Sequence, residues 1–397
     1  MKLSALPYHK EVAGYLRTGE AALWSWFESD QFSQRYADMV KLELLKSTYR
    51  LTRADQPEVY AHADTAAEKL GLDLPVTVYQ SHGAGGEANA ALVFLPDEAA
   101  LVLNGNIGDL LSEEEMLAVF SHELSHHRLY SLDGGQYFTA ARLLDWCAAQ
   151  PACEDSIQET ARLYRLHTEI YADMGALHAT GNRDAVISSL IKVSTGLTSV
   201  NPLSYSEQTE EILEKRREGS AGQTHPELHI RAKSLDLLAG DFPDLEALTA
   251  LVSGPLDAKR LDLPGQHNLS GVIRRLVDAV LAPDFMRGEY AANLARRYFE
   301  DYEMPADGPE AGLARLAAKI APFSKSCHEV FAYVLLDFAT ADPDGGDFTL
   351  TWTLNVADRL GLLSVYELLV RKELKRKKDA IAKLRRSAQP EEKASHA

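Results

Sequence analysis

The spacing of apolar residues in the N-terminal part of the chain predicts helices. Apolar side chains recur there every three or four residues, which is the period of one face of an α-helix. The predicted helices cover residues 8–27, 36–51 and 57–70. Gly71 follows the last of them, and glycine commonly ends a helix because it adopts the left-handed backbone conformation without strain.

Beyond this glycine the pattern changes to short runs of β-branched and aliphatic residues. Residues 76–79 have the composition of a strand, and residues 91–95 and 100–103 predict two more strands around a turn at Pro96.

The glycine-rich bend at residues 83–86 lacks the Lys-Ser/Thr pair of a phosphate-binding loop, so we interpret it as a turn. If one of the strands is a sheet edge, an extended peptide could pair with it. These elements predict an α+β fold that is mostly helical and contains a small sheet.

The next segment returns to the helical period and begins with a capping signal. Ser112 and Glu115 have the spacing of a capping box, in which each side chain bonds the backbone of the other. His122, Glu123 and His126 lie on this predicted helix as a His-Glu-x-x-His motif. Residues four apart on a helix differ by about 40° in direction and about 6 Å in height, so both imidazoles can bind one ion.

The motif has the chemistry of a catalytic zinc site. Two neutral histidines and a third ligand leave one coordination position for water and lower the pKa of that water towards neutrality. Glu123 is too close in sequence to His122 to bind the same ion comfortably, but it can act as a general base. In a chain with 13 histidines, a chance match is expected in roughly a few per cent of sequences of this length. Whether the motif is a zinc site therefore depends on whether the rest of the chain supplies a third ligand.

A later helix supplies a candidate for the missing ligand. Residues 156–180 predict a helix on which Glu169 and Asp173 are one turn apart and share a face. Such a pair is usually two solvent-exposed acidic side chains without a ligand. Alternatively, Glu169 is the third zinc ligand and Asp173 accepts the ring N–H of a ligating histidine. On its helix, His127 points about 100° away from His126, and His167 points about 200° away from Glu169. We therefore expect neither histidine to bind the ion. We interpret His167 as a surface or packing residue.

Composition limits the class of protein. The chain has 397 residues, of which 46% are hydrophobic, so it can bury a sizeable core in two or three domains. Its apolar runs are too short to cross a bilayer, and its N-terminus lacks a signal-peptide pattern. Three cysteines without metal-binding spacing fit a reducing compartment. We expect a soluble cytoplasmic protein, and the net charge of −17 argues against nucleic acid as a partner.

Several motifs occur in an order that resembles one family of enzymes, the HtpX and Ste-twenty-four type zinc metallopeptidases. These are gluzincins, in which the third zinc ligand is a glutamate on a later helix. The resemblance covers roughly residues 55–238. The matching elements are the His122–His126 motif, Glu169 with Asp173, Glu87-Ala88-Asn89-Ala90, and His225-Pro226 with Arg231.

The resemblance implies a zincin-like core and a zinc-dependent peptidase, most simply an endopeptidase. One Zn²⁺ per chain would be held by His122, His126 and Glu169, with Asp173 supporting a ligand. Glu123 would act as general base and then as proton donor to the leaving amine. Two alternatives stay open. One is a peptidase-like binding or scaffold protein with restrained or absent hydrolysis, and the other is a zinc hydrolase of non-peptide bonds.

Two further site residues are implied by the resemblance alone. His225 would lie near the ion, where it either donates to the oxyanion of the tetrahedral intermediate or caps the open coordination position in a resting state. Arg231 would support that region electrostatically. The polar stretch at residues 198–223 precedes this histidine and predicts a mobile segment over the active site.

The C-terminal part of the chain predicts helices without metal-ligand spacing. Residues 330–363 resemble the TerB-like helical domain of tellurite-resistance proteins. Asp342, Asp344 and Asp347 lack the twelfth-position glutamate of an EF-hand, so we interpret them as turn residues. Residues 371–386 predict one helix with nine basic and two acidic residues. Such a run is usually a solvated face, and docking to an acidic partner or a membrane surface is the alternative.

These patterns divide the chain into four predicted segments. They are an N-terminal helical segment at 1–70, the zinc metallopeptidase core at 71–238, a helical, TerB-like domain at 239–386 and a disordered tail at 387–397. The expected partners are a peptide or protein substrate and a protein that binds the C-terminal helical domain or its basic helix. Neither nucleic acid nor a membrane span is expected.

Overall fold

A computed structural model of the chain describes residues 3–30, 34–81, 88–215, 218–240, 243–304 and 312–388. The predicted turn at residues 83–86, Glu87 and most of the predicted tail lie outside the described residues. The chain forms two compact units, Met1–Gly254 and Pro255–Ala397. The four domain boundaries drawn from the sequence stay predictions.

The first unit combines helices with a small sheet, so the α+β, mostly helical fold class is confirmed. Its helices are α1 (Pro7–Gly19), α2 (Ala21–Asp30), α3 (Gln34–Ser47), α4 (Pro57–Leu70), α5 (Ile107–Leu110), α6 (Glu113–Ser131), α7 (Gln136–Ala148), α8 (Asp155–Thr180), α9 (Arg183–Thr195), α10 (Pro202–Lys215), α11 (Leu228–Leu238) and α12 (Leu245–Ser253). Its strands are β1 (Thr48–Arg50), β2 (Val76–Ser81), β3 (Asn89–Phe94) and β4 (Ala99–Asn104).

The sheet places β3 at an edge beside the motif helix. The strand order is β1-β2-β4-β3, in which β2 and β4 are parallel and the outer pairs are antiparallel. The predicted hairpin is confirmed, with Leu92 opposite Leu101. Strand β4 is central and buried along most of its length, whereas β3 pairs with β4 alone among the described residues and contacts α6.

Helix α6 begins as its sequence predicts and packs closely on α8. The Ser112 hydroxyl accepts the Glu115 N–H, and the Glu115 carboxylate accepts the Ser112 N–H at 2.8 Å, which confirms the capping box. Gly175 on α8 faces Ser125 on α6. A Cβ at Gly175 would lie 1.7 Å from the Ser125 hydroxyl, so the close approach of the two helices requires glycine there.

Three predicted segments of the first unit differ from the structure. The helix predicted over residues 8–27 breaks at Glu20, whose φ of −119° is not helical. The helix predicted over residues 36–51 ends at Ser47, because the next three residues pair with β2. The polar stretch at residues 198–223, for which no helix was predicted, contains α10, and Asn201 accepts the N–H groups of its first turn; the mobility of this stretch stays a prediction.

The second unit is built from helices around its own hydrophobic core. They are α13 (Leu263–Val280), α14 (Glu289–Tyr298), α15 (Leu313–Ile320), α16 (Lys325–Ala339), α17 (Gly346–Arg359), α18 (Leu363–Glu373) and α19 (Lys378–Ala388). Phe331, Phe338 and Tyr366 are among its fully buried side chains.

Two predictions for this second unit can be compared with the structure. The prediction of a single basic helix over residues 371–386 is wrong. The segment divides into α18 and α19, because Lys375 between them has a left-handed φ of 52°, which breaks the helix. The Asp344 N–H bonds the Asp342 carboxylate at 2.9 Å, as the predicted turn requires. None of the helices in the described part of the chain combines the length and apolarity needed to cross a bilayer.

Candidate metal centre

Helices α6 and α8 bring His122, His126 and Glu169 together. The His122 Nε2 atom lies 3.4 Å from Glu169 Oε2, and His126 Nε2 lies 3.6 Å from Glu169 Oε1. One ligand atom from each residue lies within 4.8 Å of the other two. Atoms bound tetrahedrally at 2.0–2.1 Å from one zinc ion are roughly 3.3–3.4 Å apart. The cluster therefore has the dimensions of a mononuclear metal site.

The chemistry of the three donors also fits zinc. Two imidazole nitrogens and one carboxylate are a common catalytic zinc ligand set, and they leave a position for a further ligand. The three side chains are only 12–14% exposed, so water screens their charges weakly. Glu169 Oε2 is buried and makes no hydrogen bond of good geometry among the described residues, although His122 Nε2 lies 3.4 Å and His225 Nε2 lies 3.5 Å from it. A bound cation would satisfy this oxygen directly.

Asp173 and Arg231 orient the first of the two histidines. His122 Nδ1 lies 3.0 Å from Asp173 Oδ1, and an Nδ1–H donated there directs Nε2 towards Glu169. Arg231 donates to both oxygens of Asp173, at 2.8 and 2.6 Å. Arg231 is therefore a buried partner of Asp173, and its guanidinium also lies 4.0 Å from Glu169 Oε2, the oxygen that His225 Nε2 approaches at 3.5 Å. Electrostatic support of the region around His225, the role that the resemblance implies for Arg231, stays a prediction.

The carboxylates set the charges of this cluster. Burial opposes protonation of His122, but its bonds to Asp173 and Glu169 prevail and raise the pKa of His122 to about 10. Burial lowers the pKa of His126 to about 4. Burial favours the neutral form of Glu169, yet the neighbouring histidines and Arg231 hold the pKa of this carboxyl well below its usual range. Without a metal ion, the Glu169 carboxylate therefore faces one protonated imidazole, that of His122, and one neutral imidazole, that of His126.

Glu123 lies beside the cluster on the wall of a cleft. Burial raises the pKa of Glu123 to about 7, although a backbone hydrogen bond from Leu92 on β3 favours its charged form. A carboxyl group whose pKa lies near neutral pH can accept and return a proton with little bias. Glu123 therefore has the ionisation behaviour of a general base.

His225 is brought to the mouth of the site. Its side chain is 62% exposed, and its Nε2 lies 3.5 Å from Glu169 Oε2. Its Nδ1 is within hydrogen-bond distance of the Thr224 hydroxyl, at 2.9 Å. The exposed imidazole can therefore reach a molecule bound in the cleft.

Two residues that the sequence analysis did not identify hold the segment before His225. The guanidinium of Arg162, which is buried, donates to the carbonyls of Ser220 and Gly222 at 3.0 and 2.8 Å. Glu227 accepts the Ala221 N–H at 2.9 Å and the Ser220 hydroxyl at 2.6 Å. No sequence motif marks either residue, because each bonds residues of an irregular loop.

His127 and His167 lie outside the cluster. His127 Nε2 bonds the Leu95 carbonyl at 2.9 Å, and its ring packs on Phe94. His167 is fully buried, stacks on Tyr8 and bonds the Ser253 hydroxyl at 3.1 Å. His167 is therefore a packing residue, and the alternative of a surface position is wrong.

The cleft beside the cluster has a volume of about 1200 Å³. Strand β3 contributes one wall with residues 89–92 and Phe94, and α9 contributes another that includes Val186, Leu190 and Val193. His122, Glu123, His126, Glu169 and His225 also line it. The cleft exceeds the usual size of small-molecule pockets, which is about 300–1,000 Å³.

No family model matches the chain, and neither a curated protein nor a solved structure matches it. The resemblance to the HtpX and Ste-twenty-four type peptidases therefore stays a prediction from the motifs. Within the described residues, the cluster of His122, His126 and Glu169 is the group of histidine, cysteine and acidic side chains arranged closely enough to hold a metal ion.

Proposed function

We propose that this protein is a zinc-dependent endopeptidase of the gluzincin type. The observation that carries the proposal is the approach of His122 Nε2, His126 Nε2 and a Glu169 oxygen to within 4.8 Å of one another, with Glu123 beside them in the same cleft. A zincin-like core related to the HtpX and Ste-twenty-four type enzymes is part of the proposal. The order of the motifs along α6, α8 and α11 supports it.

Each ligand and its supporting residues have a separate task. His122, His126 and Glu169 hold one zinc ion, which when bound polarises water and the scissile carbonyl. Asp173 fixes the His122 tautomer through Nδ1, and Arg231 neutralises Asp173. This arrangement keeps the His122 ring in its ligating orientation before the ion arrives.

Glu123 moves the proton. It accepts the proton of the attacking water and later delivers it to the amine of the departing peptide. In the site without a metal ion, burial raises the pKa of Glu123 to about 7, so both of its protonation states are accessible near neutral pH. His225, whose imidazole is exposed at the cleft, donates a hydrogen bond to the oxyanion of the tetrahedral intermediate.

An extended peptide binds along β3. Within the described part of the chain this strand pairs with β4 alone, and its residues line the cleft. Backbone pairing with β3 would bind peptides of many sequences, while the apolar side chains of α9 would favour an apolar residue next to the cleaved bond. Such pairing needs no free chain end, which favours endopeptidase activity.

Three forms of the protein test this function together. Zinc per chain is measured by inductively coupled plasma mass spectrometry, and cleavage is measured on casein and a peptide library. We expect the wild type to bind one zinc and cleave, Glu123→Gln to keep zinc and lose at least a hundredfold in rate, and Glu169→Ala to lose zinc affinity.

Each departure from this pattern has a specific meaning. Zinc binding with no cleavage of any peptide would favour the scaffold interpretation. Hydrolysis of esters or other non-peptide bonds alone, abolished by Glu123→Gln, would favour the non-peptide hydrolase. A wild-type protein that binds no zinc would contradict the proposal as a whole.

A further inference from the structure

The segment that carries His225 is bound to helix α8 at both of its ends. Before His225, the guanidinium of Arg162 on α8 donates to two carbonyls of the segment, at 3.0 and 2.8 Å. After His225, Arg231 donates to the carboxylate of Asp173 on α8, at 2.8 and 2.6 Å. His225 therefore lies between two attachments to one helix.

The two attachments and a proposed metal ligand share one face of α8. Arg162 precedes Glu169 by seven residues and Asp173 by eleven, so its direction differs from each of theirs by only about 20°. A single helix thus sets the position of the segment relative to Glu169. The result is visible at His225, whose Nε2 lies 3.5 Å from Glu169 Oε2.

Arg162 is held in the orientation that its contacts require. Glu159, one turn earlier on α8, accepts hydrogen bonds from Nε and Nη2 of Arg162, each at 2.7 Å. Nη1 is left to donate to the carbonyls of both Ser220 and Gly222. The residue is only 5% exposed. Lysine has the same charge but no planar fork, so it cannot make these bonds together.

The segment is also closed by bonds within itself. Glu227 accepts the Ala221 N–H at 2.9 Å and the Ser220 hydroxyl at 2.6 Å. Burial opposes the charged form of Glu227, but the bonds from Ser220 and from backbone N–H groups prevail and lower its pKa. The turn is tight, because a Cβ at Gly222 would lie 1.9 Å from the His225 carbonyl oxygen. The exposed imidazole of His225 therefore extends from a closely bonded loop.

We propose that Arg162 and Glu227 are positioning residues that fix the loop of residues 219–226 and so hold His225 at the mouth of the site. The inference rests on the proposed function, in which His225 donates to the oxyanion of the tetrahedral intermediate. A donor stabilises that charge fully only when it is oriented before the reaction begins. Arg162 and Glu227 act through His225, by limiting the directions that its backbone allows.

Hydrogen exchange of the metal-free, full-length protein tests the positioning without requiring activity. In Arg162→Lys and in Glu227→Ala, amides of residues 219–226 should exchange at least tenfold faster than in the wild type. The matched control is Arg165→Lys on the same helix, because the ion pair of Arg165 with Asp145 is exposed and lies outside the loop. Wild-type exchange in both variants would overturn the proposal, and wild-type exchange in one would remove that residue from it.

A double-mutant cycle tests whether the positioning acts through His225. We expect His225→Ala to lower kcat for peptide cleavage about a hundredfold, as the loss of one oxyanion donor does. Arg162→Lys should lower kcat at least tenfold and leave KM within about threefold, because the interaction forms in the transition state. In the His225→Ala background the same change should lower kcat less than twofold, since the donor that it positions is gone.

A purely structural role for Arg162 predicts a different result. The effects of Arg162→Lys and His225→Ala on kcat would then multiply, and this outcome would overturn the inference. Zinc content is measured in every variant. If Arg162→Lys loses zinc, the cycle is decided with Glu227→Ala, which leaves no buried charge without a partner. Arg165→Lys should keep the wild-type kcat.

The two experiments separate failure of this inference from failure of the proposed function. A wild type that cleaves peptides, combined with multiplying effects in the cycle, would contradict the inference alone. A wild type without cleavage would contradict the proposed function and the role of His225 in it. The exchange measurement would then still decide whether Arg162 and Glu227 fix the loop.

Discussion

Two histidines of the first unit lie in contrasting surroundings: His122, whose side chain is 12% exposed, and His167, which is fully buried. Around His122, the carboxylates of Asp173 and Glu169 overcome burial and raise the pKa of the imidazole to about 10. Around His167, which stacks on Tyr8 and bonds Ser253, burial lowers the pKa to about 3. The same side chain at a similar depth is therefore cationic in one place and neutral in the other. The presence or absence of neighbouring carboxylates decides whether the buried imidazole is charged.

The difference separates a reactive region from a packing region along α8. Glu169 and Asp173 form a network of charges that is paired internally and can accept a cation. His167 joins a group of aromatic side chains, with His9 and Tyr164 packed edge to face next to it. Charged side chains are therefore concentrated around Glu169 and Asp173, at the proposed metal centre. The part of α8 around His167, against which α1 packs, is aromatic and uncharged. Three predictions test this contrast, beginning with the largest effect.

Removing the buried carboxylate should destabilise the metal-free protein strongly. Asp173→Ala leaves the Arg231 guanidinium buried without its main partner, which costs about 3–5 kcal/mol in the free energy of unfolding. The measurement is urea unfolding at pH 7. Asp145→Ala is the control, because Asp145 forms an exposed ion pair with Arg165 at 2.6 Å and should cost less than about 1 kcal/mol. Equal losses in the two variants would contradict the account.

The neutral histidine should make the protein sensitive to acid. His167 titrates near pH 6.5 when unfolded but near pH 3 when folded, so the unfolded state binds the extra proton as the pH falls between these values. Stability is therefore fully present above pH 6.5 and falls by up to about 1.4 kcal/mol per pH unit below it.

His167→Gln should remove that part of the slope. Glutamine does not titrate and can still bond the Ser253 hydroxyl. Unfolding of metal-free protein between pH 6.5 and 4.5 would be compared for wild type, His167→Gln and His267→Gln, in which an exposed histidine of the second unit is replaced. A slope in His167→Gln as steep as in the wild type would show that His167 is not buried as a neutral side chain.

Zinc binding should release about one proton at pH 7.5. His122 is protonated at that pH in the metal-free protein, because its pKa is about 10, and a ligating imidazole must be neutral. The apparent affinity for zinc should therefore rise about tenfold per pH unit below that pKa. Calorimetry in buffers with different ionisation enthalpies counts the protons, and Glu123→Gln removes any contribution from the neighbouring carboxyl. Release of no proton would contradict the charge assigned to His122.

The sequence predicts those parts of the molecule that depend on local signals. Helix α6 has a capping box and a regular apolar period, and α8 runs from residue 155 to 180 as its pattern predicts within one residue. Glu169 and Asp173 could be identified because helical spacing fixes their shared face. The hairpin of β3 and β4 was likewise predictable from alternating runs around a turn.

The remaining features depend on contacts between distant residues. Arg162 bonds loop carbonyls 58 and 60 residues later, and Arg231 bonds Asp173 across 58 residues. Spacing along the chain carries no signal for such pairs. The end of α3 at Ser47 is also decided from a distance, since the next residues leave the helical pattern to pair with β2.

The most direct test of the proposed metal centre is anomalous X-ray diffraction at the zinc edge from crystals of the zinc-loaded protein. The account predicts one strong anomalous peak per chain, within about 2.0–2.2 Å of His122 Nε2, His126 Nε2 and an oxygen of Glu169. A peak bound by other residues, or no peak at this site in protein that carries zinc, would contradict it.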